Sequence, residues 1–291
     1  MPQPLLEYAE HLAALALRED LGEGDLTGKV LLAADKPASA ELRVKHDGVL
    51  SCLQWLGVVF KQLDPGAVIE LRASDGDRVR AGSVAASVRC NQQALVAGER
   101  TALNLLQRMS GIATMTARFV DAIEGTGAII FDTRKTTPAM RLFEKYAVLC
   151  GGAANHRLGL FDAMMIKDNH LYLSGLGLKD AIAKLRTAHP DLHLTAEAES
   201  VAEAKDAINA GADVVMLDDF SLEQIREVVQ WRSGQPEAVR KCQLEVSGGV
   251  TLATVRDYAL TGIERISVGT ITHSAPALDL SLKVLRPPTK N

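Results

Sequence analysis

Apolar residues recur at two different spacings along this chain, and the change in spacing divides the sequence into two parts. Residues 4–20 place apolar side chains at helical spacing, and a glycine-rich turn at 22–25 ends that predicted helix. Strand-like alternation follows in residues 40–50, 68–74 and 83–89, with a helical pattern at 53–63. The first third of the chain therefore predicts a small sheet with helices packed on it.

A different pattern begins after a helical stretch at residues 92–123, which we expect to break near Ser110–Gly111. From there, short β-branched runs alternate with amphipathic helical segments. The predicted strands are 128–132, 163–167, 193–197, 213–217, 243–247 and 265–268, and the predicted helices are 139–150, 178–188, 200–210, 221–232 and 251–261. Alternation of this kind implies a parallel sheet, either a closed barrel or a doubly wound sheet. Because six or seven strands can be counted rather than eight, we expect an incomplete α/β barrel.

Composition and charge remove several classes of protein. The 291 residues are 47% hydrophobic and carry a net charge of -4, which argues against a disordered chain and against a nucleic-acid partner. No apolar run approaches the roughly 18 residues of a membrane span, and no charged leader precedes one, so we expect a cytoplasmic protein with no membrane partner. The four cysteines lie far apart without a CxxC pair, which predicts free thiols rather than a disulfide framework or a zinc site.

Polar residues gather where the predicted barrel strands end. The carboxyl ends of parallel barrel strands meet on the face where such barrels place their function, so we expect these residues to share one site. In chain order the strand ends are Asp132–Pro138, Lys167–His170, Glu197, Asp218–Asp219, Ser247–Gly249 and Gly269–Thr270. A turn residue or a helix cap explains any one of these ends, but not all of them together.

The last two strand ends predict a phosphate site. The runs Ser247–Gly249 and Val268–Thr270 each open a helix or a turn with free backbone N–H groups, and glycine lets the backbone approach an anion closely. Loops after the last strands of phosphate-binding barrels recur in this role. An ordinary glycine loop is the alternative for either run alone.

Positive charge is concentrated between Arg134 and His170, where six cationic residues stand against three acidic ones although the whole chain is net negative. Arg141 and Lys145 are one helical turn apart beside Glu144, and we expect them on a solvated helix face. The other cations predict a polyanionic ligand, since Arg offers a planar fork and Lys a compact charge. With the neighbouring histidine they are Arg134, Lys135, His156, Arg157 and Lys167.

Two carboxylates, Glu197 and Asp218, interrupt this cationic site on successive strands. They would repel an anionic ligand unless a cation lies between, and Mg²⁺ commonly binds through one or two carboxylates plus substrate phosphates. We therefore expect Mg²⁺ as the cofactor, held by Glu197 and Asp218 directly or through water or substrate. A structural ion pair with Arg134 or Lys135 is the alternative.

Other interpretations of these residues lead to different classes of protein. The run VVMLDDFS opens like the diphosphate motif of Rossmann-like phosphoribosyltransferases, but it continues into a helix instead of a Gly- and Thr-rich phosphate loop, which excludes that class. Lys135 and Lys167 at strand ends also fit a Schiff-base lyase, which forms a covalent adduct with a carbonyl substrate. A non-catalytic anion-binding protein would bind the same ligand without turnover.

Several runs of sequence together resemble the quinolinate phosphoribosyltransferase family. They are GERTALNLLQRMSGIAT (98–114), DTRKTTPAMRLFEKYAVLCGGAANHRLGLFDAMMIKDNH (132–170), EAES, GADVVMLDD, SGGV and ISVGTITHS. The similarity extends in order from about Glu19 to Leu282, and its central run is too long and idiosyncratic for chance.

The resemblance implies a type II phosphoribosyltransferase with an N-terminal α/β sandwich, residues 1–110, and an open seven-stranded α/β barrel, residues 111–273. The sequence pattern predicts helix in the stretch after Gly269. We expect segment 274–291 to pack with the first domain, and we expect the ordered chain to end at Pro287–Pro288. The resemblance also implies a homodimer or larger homo-oligomer, in which Arg100 of the partner subunit completes each active site.

The implied reaction joins quinolinate to 5-phosphoribosyl 1-diphosphate and releases diphosphate and CO₂, giving nicotinate mononucleotide for NAD biosynthesis without an organic cofactor. Lys135, Glu197 and Asp218 are implied in catalysis, the lysine facing the diphosphate and the carboxylates facing Mg²⁺ and the ribose. The quinolinate contacts implied are Arg134, His156, Arg157, Lys167 and the partner subunit's Arg100, with Lys167 also facing the diphosphate. The other implied substrate contacts, mainly to the 5-phosphate, are Thr133, Ser247, Gly248, Gly249, Val268, Gly269, Thr270 and His273.

Four positions depart from the family's usual residues. Ala139 replaces a Gly after TTP, Ala153 the third Gly of GGG, Thr195 the first Glu of EVE, and Asp219 the Asn of LDN. They put loop geometry in question, not the class of reaction. A paralogue associated with molybdenum-transport operons is the alternative within the same fold, but it departs around the equivalents of IKDNH and TTP, where this sequence keeps the quinolinate form.

Overall fold

The structure, a computed structural model, describes residues 1–286, and the predicted end of order at Pro287–Pro288 lies outside that range. The helices are α1 (Gln3–Leu21), α2 (Gly28–Leu31), α3 (Trp55–Leu63), α4 (Gln92–Ala122), α5 (Arg141–Cys150), α6 (Asp168–Ser174), α7 (Leu178–Ala188), α8 (Val201–Asn209), α9 (Leu222–Ser233), α10 (Glu237–Arg240), α11 (Val255–Ala259) and α12 (Thr270–His273). The strands are β1 (Pro37–Val44), β2 (Gly48–Val49), β3 (Val68–Leu71), β4 (Arg78–Val79), β5 (Val84–Asn91), β6 (Ile129–Phe131), β7 (Met164–Ile166), β8 (Leu194–Ala198), β9 (Val214–Asp218), β10 (Gln243–Ser247), β11 (Arg265–Ser267) and β12 (Leu280–Val284).

The chain divides into two compact units. Unit 1 comprises Met1–Ala117, Leu142–Gly152 and the described residues from Ala275 onward, and unit 2 comprises Arg118–Arg141 and Ala153–Ser274. The predicted boundary at 110/111 falls inside α4. Most of α5, which the sequence assigned to the barrel domain, belongs to unit 1.

Unit 1 is built on an antiparallel sheet in the order β12-β1-β5-β3. Helix α3 buries the face formed by Trp55, Leu56, Val59 and Phe60, as its apolar spacing predicts. The Trp55 ring meets the Phe143 ring of α5 edge to face, with 5.9 Å between the ring centroids. The predicted N-terminal arrangement of helices against a separate sheet is confirmed.

The end of the described chain forms a strand where we predicted helix. β12 pairs antiparallel with β1, with Leu282 opposite Leu42. Of the described residues after Gly269, only the four of α12 are helical. This segment forms a strand because its burial alternates along the chain. Leu280 and Leu282 are buried and Lys283 is exposed, which matches the two-residue period of a strand.

Helix α4 runs unbroken through Ser110–Gly111, where we predicted a break. A Cβ on Gly111 would lie 2.1 Å from the carbonyl oxygen of Pro276. This glycine therefore admits a close backbone contact inside unit 1 and does not end the helix.

Unit 2 is a parallel sheet of six strands in the order β6-β11-β10-β9-β8-β7, with helices in the connections. The predicted open α/β barrel is confirmed, with β6 and β7 at its two edges, but its sheet has six strands rather than seven. A single parallel bridge between Phe131 and Ala154 stands beside β6, where a seventh strand would lie. All of Val214–Leu217 in β9 is buried, as in a strand covered on both faces.

Two further observations bear on the class of protein. Among residues 1–286, no helix has the length and apolarity needed to cross a lipid bilayer. The four cysteines carry free thiols; Cys52, Cys90 and Cys242 are buried and Cys150 is half-buried. Buried free thiols of this kind pack as small apolar groups.

Candidate active site

The carboxyl ends of the unit 2 strands surround a cavity of about 340 Å³. The lining residues are Thr133, Arg134, Lys135, His156, Arg157, Met165, Lys167, Glu197, Met216, Asp218, Ser247 and Ser267. Nine of them are predicted site residues. The structure thus brings together cations, carboxylates and a serine that the sequence places at separate strand ends.

Four cations, Arg134, Lys135, Arg157 and Lys167, share the wall of this cavity. Burial lowers the pKa of Arg157, and the neighbouring positive charge of Arg134 lowers it further. The buried Nε of Arg134 has no hydrogen-bond partner within residues 1–286. A crowded cationic wall with an unmatched buried donor favours a bound anion.

Glu197 and Asp218 enter the same cavity from the neighbouring strands β8 and β9. The mostly buried carboxylate of Glu197 accepts a hydrogen bond from the Lys167 ammonium, so its partner is neither Arg134 nor Lys135. In the described part of the chain, no group of three or more His, Cys, Asp or Glu side chains could hold a metal ion. Glu197 and Asp218 are the carboxylates in the cavity that could hold a Mg²⁺ ion, which would need its remaining oxygen ligands from substrate or water.

The glycine turn after β10 is fixed by the turn after β9. Gly248 has a φ of 95°, and a Cβ added there would lie 1.9 Å from Oδ1 of Asp219. The Asp219 N–H donates to the Ser247 carbonyl oxygen at 3.1 Å. Only glycine fits at position 248, both for its backbone conformation and for the space available.

The turn after β11 lies against Lys135. A Cβ on Gly269 would be 3.2 Å from both Cδ of Lys135 and Nε2 of His273. The Thr272 hydroxyl donates to the Lys135 carbonyl oxygen at 2.9 Å. The buried Thr270 Oγ1 has no hydrogen-bond partner among the residues described. The predicted residues that form the adjoining turns instead of the cavity lining are Gly248, Gly249, Val268, Gly269, Thr270 and His273.

Arg100 lies in unit 1, on α4, where its side chain is 67% exposed and its guanidinium is 3.6 Å from Glu99. An exposed pair of this kind holds its cation weakly. The role of Arg100 in the active site of a partner subunit stays a prediction.

Arg141 and Lys145 do not form the solvated helix face that the sequence suggested. Lys145 is buried. The Arg141 guanidinium donates to Thr136 Oγ1 at 3.0 Å, to the Leu158 carbonyl oxygen at 3.1 Å and to the Arg134 carbonyl oxygen at 3.4 Å. It therefore ties the loop that carries Arg134 to the loop that contains Leu158. Helical spacing could not show this, because the partners lie in loops outside the helix.

Two of the four positions that depart from the family pattern have a positive φ, Ala139 at 61° and Asp219 at 53°. This region favours glycine but also accepts Asp and Asn. Asp219 therefore keeps the loop geometry that Asn would have, whereas Ala139 is strained where Gly is usual. The other two, Ala153 and Thr195, are buried in unit 2.

Ala139→Gly is expected to raise the free energy of unfolding by about 0.5–1 kcal/mol, since the relief of left-handed strain exceeds the entropy that glycine adds to the unfolded chain. The melting temperature of the two proteins checks this. Ala210→Gly is the matched control, because Ala210 has a φ of -77° and gains nothing from glycine. A lower melting temperature for Ala139→Gly than for the unaltered chain would show that the backbone of Ala139 is not strained.

The sequence missed three lining residues, Met165, Met216 and Ser267. Each lies two positions before a strand-end residue, and strand side chains alternate between the two faces. An inward strand end therefore implies an inward residue two positions earlier. The same rule places Glu245 inside the barrel before Ser247, and Glu245 is fully buried. Strand periodicity was the signal that could have found them.

The fold and the site together define an α/β-barrel protein with a cavity at its strand ends that is lined by four cations and two carboxylates. Residues 25–110 match the family described as quinolinate phosphoribosyl transferase, N-terminal domain, and residues 112–283 match its C-terminal domain. The chain belongs to the quinolinate phosphoribosyl transferase family.

Relatives resemble the chain over most of its length. A probable nicotinate-nucleotide pyrophosphorylase (carboxylating) of Bacillus subtilis is 38% identical over 267 residues, which cover 91% of this chain and 90% of that protein. A mitochondrial quinolinate phosphoribosyltransferase (decarboxylating) of Nicotiana tabacum is 37% identical over 289 residues, covering 93% and 80%. The crystal structure of NadC from Streptococcus pyogenes matches with a TM-score of 0.90 at 37% identity, covering 98% of this chain and 99% of that one.

Proposed function

We propose that this chain transfers the phosphoribosyl group of 5-phosphoribosyl 1-diphosphate to quinolinate, releasing diphosphate and CO₂ and forming nicotinate mononucleotide for NAD biosynthesis. The convergence of Arg134, Arg157 and Lys167 on one cavity carries this proposal. Quinolinate is a dianion with two carboxylates on adjacent ring carbons, and two forked guanidinium groups with an ammonium suit them.

The transfer step forms a bond between the pyridine nitrogen and ribose C1 as the bond from C1 to the diphosphate oxygen breaks. Positive charge develops on the ribose, and Glu197 and Asp218, which share the cavity, stabilise it electrostatically. Lys135 offsets the charge of the departing diphosphate. Mg²⁺ held by Glu197 or Asp218 would neutralise the diphosphate further.

The 5-phosphate is assigned to the two glycine turns beside the cavity. Gly248 keeps the first turn free of a side chain, and the Thr270 hydroxyl in the second is a buried donor without a partner among the residues described. Backbone N–H groups in such turns bind phosphate oxygens.

The decarboxylation step needs no organic cofactor. Once the ring nitrogen carries the ribose it is positively charged, so it stabilises the electron pair left on the neighbouring carbon when CO₂ leaves. A proton from water then takes the place of the carboxylate on that carbon. The chain itself has to hold the ring, which the cations of the cavity wall do.

The direct test is an assay of the full chain with quinolinate, 5-phosphoribosyl 1-diphosphate and magnesium chloride. We expect CO₂ and nicotinate mononucleotide in equal amounts, and neither product when one substrate is omitted. Binding of quinolinate without turnover would indicate a non-catalytic anion-binding protein. An adduct trapped by borohydride with a carbonyl substrate would indicate a lyase. The Lys167 side chain pairs with Glu197, which opposes Lys167 as the lysine that forms such an adduct.

We also propose a homodimer or larger homo-oligomer in which Arg100 acts in the partner subunit's site. Mixing Arg100→Ala chains with Lys135→Ala chains is expected to restore about a quarter of normal activity, because half of randomly formed dimers are mixed and each then has one intact site. Steady-state assay of the mixture checks this. The matched control mixes Arg134→Ala with Lys135→Ala, which lie in one cavity and should restore nothing. Equal activity in both mixtures would contradict shared sites.

The predicted cytoplasmic location stays a prediction.

Arg141→Ala is expected to raise the KM for quinolinate by about 10-fold with a smaller change in kcat, because the backbone of the Arg134 loop loses its tie to Leu158. Arg141→Lys is the informative comparison. Lysine keeps the charge but not the planar fork, so we expect it to resemble Ala. Full recovery with Lys would mean that charge, not geometry, is what Arg141 supplies.

A further inference from the structure

Unit 2 buries a carboxylate below the cavity that the proposed reaction does not use. Glu245 on β10 has 0% of its surface exposed. The Ser267 hydroxyl donates to its Oε1 at 2.5 Å, and Arg265 Nε donates to its Oε2 at 2.8 Å. Nε2 of His156, a cavity-lining residue, lies 3.4 Å from the same Oε1. A buried carboxylate thus joins two strands to the loop that carries His156.

The other nitrogen of the His156 ring is also bonded within the protein. The backbone N–H of Arg157 donates to His156 Nδ1 at 2.8 Å. The backbone N–H of His156 donates to Oδ1 of the buried Asp132 at 2.7 Å. A ring nitrogen that accepts from an N–H carries no proton itself, so the ring proton lies on Nε2 and faces Glu245.

The charges around the ring favour the same arrangement. Arg265 already neutralises Glu245, and its guanidinium lies over the Phe131 ring, 3.9 Å from the centroid. Burial alone would raise the pKa of Glu245, but the proximity and charge of His156, the charge of Arg265 and the hydrogen bond of Ser267 hold it below its ordinary value. The cavity wall already holds Arg134, Lys135, Arg157 and Lys167, so an uncharged ring at position 156 adds no further repulsion there.

We propose that Glu245 and the Arg157 N–H together hold His156 as the uncharged, Nε2-protonated tautomer, so that His156 positions Arg157 instead of binding quinolinate as a cation. This role rests on the proposed function, because quinolinate is taken as the ligand of Arg157. The family resemblance implies instead that His156 contacts quinolinate directly. Glu245 and His156 are positioning residues, and the arginines and lysines alone supply the positive charge.

The first test reads the ring directly. In full-length protein labelled with ¹⁵N-histidine, long-range ¹H–¹⁵N spectra distinguish protonated from unprotonated ring nitrogens. The signals of His156 are those missing from His156→Asn. We expect Nδ1 unprotonated and Nε2 protonated near neutral pH, both without ligand and with quinolinate. A doubly protonated ring in either sample would overturn the proposal.

The second test separates position from charge by kinetics. Asn places an uncharged oxygen near the position of Nδ1, so His156→Asn should keep the quinolinate KM within a few-fold of normal, whereas His156→Ala should raise it about 10-fold. Equal losses in both variants would overturn the positioning role.

Glu245 is tested in the same way. Glu245→Ala should raise the quinolinate KM about 10-fold and leave the KM for 5-phosphoribosyl 1-diphosphate unchanged, and Glu245→Gln, which keeps an oxygen acceptor for Nε2, should lose less. A folded Glu245→Ala protein with a normal quinolinate KM would overturn the part assigned to Glu245. If the unaltered chain makes no nicotinate mononucleotide, the proposed function fails, while the spectrum of the free protein still decides the tautomer of His156.

Discussion

Lys135→Ala is expected to lower kcat by about 10³-fold while the chain still folds. Lys135 lines the cavity, and its aliphatic stem lies against Gly269, beside the turn assigned to the phosphate. Its ammonium opposes charge that grows on the diphosphate only as the bond to ribose breaks. The loss should therefore appear mainly in kcat rather than in KM. Steady-state kinetics with circular dichroism of the folded variant check both parts.

The control for this substitution is Lys241→Ala. The Lys241 side chain is 75% exposed and pairs with Glu237 at 3.6 Å, so its removal should leave kcat and folding unchanged. Near-normal turnover in Lys135→Ala would remove Lys135 from the mechanism. A loss of similar size in both variants would show that the effect is not specific to the cavity.

Gly248→Ala is expected to raise the KM for 5-phosphoribosyl 1-diphosphate by about 100-fold, since a misplacement of roughly 1 Å at a binding loop has effects of this size. The new Cβ would overlap Asp219 Oδ1, and the φ of 95° is unfavourable for alanine. The turn must therefore move, and the backbone N–H groups assigned to the phosphate move with it. Initial rates at varied sugar diphosphate and fixed quinolinate measure the change.

Gly249→Asn is the matched control in the same turn. Gly249 has a φ of 54°, which Asn tolerates, and no atom lies within 4 Å of a Cβ built there. We expect its KM to stay within a few-fold of normal. Adding Asp219→Gly to Gly248→Ala removes the overlap and should recover part of the affinity. Equal effects at positions 248 and 249 would contradict the steric explanation.

Strand ends were the most predictable part of this site. Lys167, Glu197 and Asp218 each end or follow a short apolar run, and parallel strands bring such residues to one face. Their meeting in one cavity followed from that rule alone. The buried positions Met216 and Glu245 were within reach of the same reasoning, because they stand two residues earlier on the inward face.

The roles of some residues could not be predicted from the sequence, because they depend on contacts with residues far away in the chain. Arg141 has the local pattern of a solvated helix residue, and its role becomes visible only when the Leu158 carbonyl is placed beside it. Gly111 looks like a helix breaker until Pro276 lies against it. Local spacing reports which face of an element is apolar, but it does not report what that face meets.

The pairing of β12 with β1 makes an early strand of unit 1 depend on a segment that follows unit 2 in the chain. On the ribosome, residues up to Ala117 emerge long before Leu280–Val284, so one edge of the growing β1 stays uncovered while the rest of the chain is translated. An uncovered edge is a template for pairing with other polypeptides. Removal of Leu280–Val284 would therefore endanger solubility through the sheet of unit 1, and a nascent chain stalled before β12 is the species that most needs a chaperone.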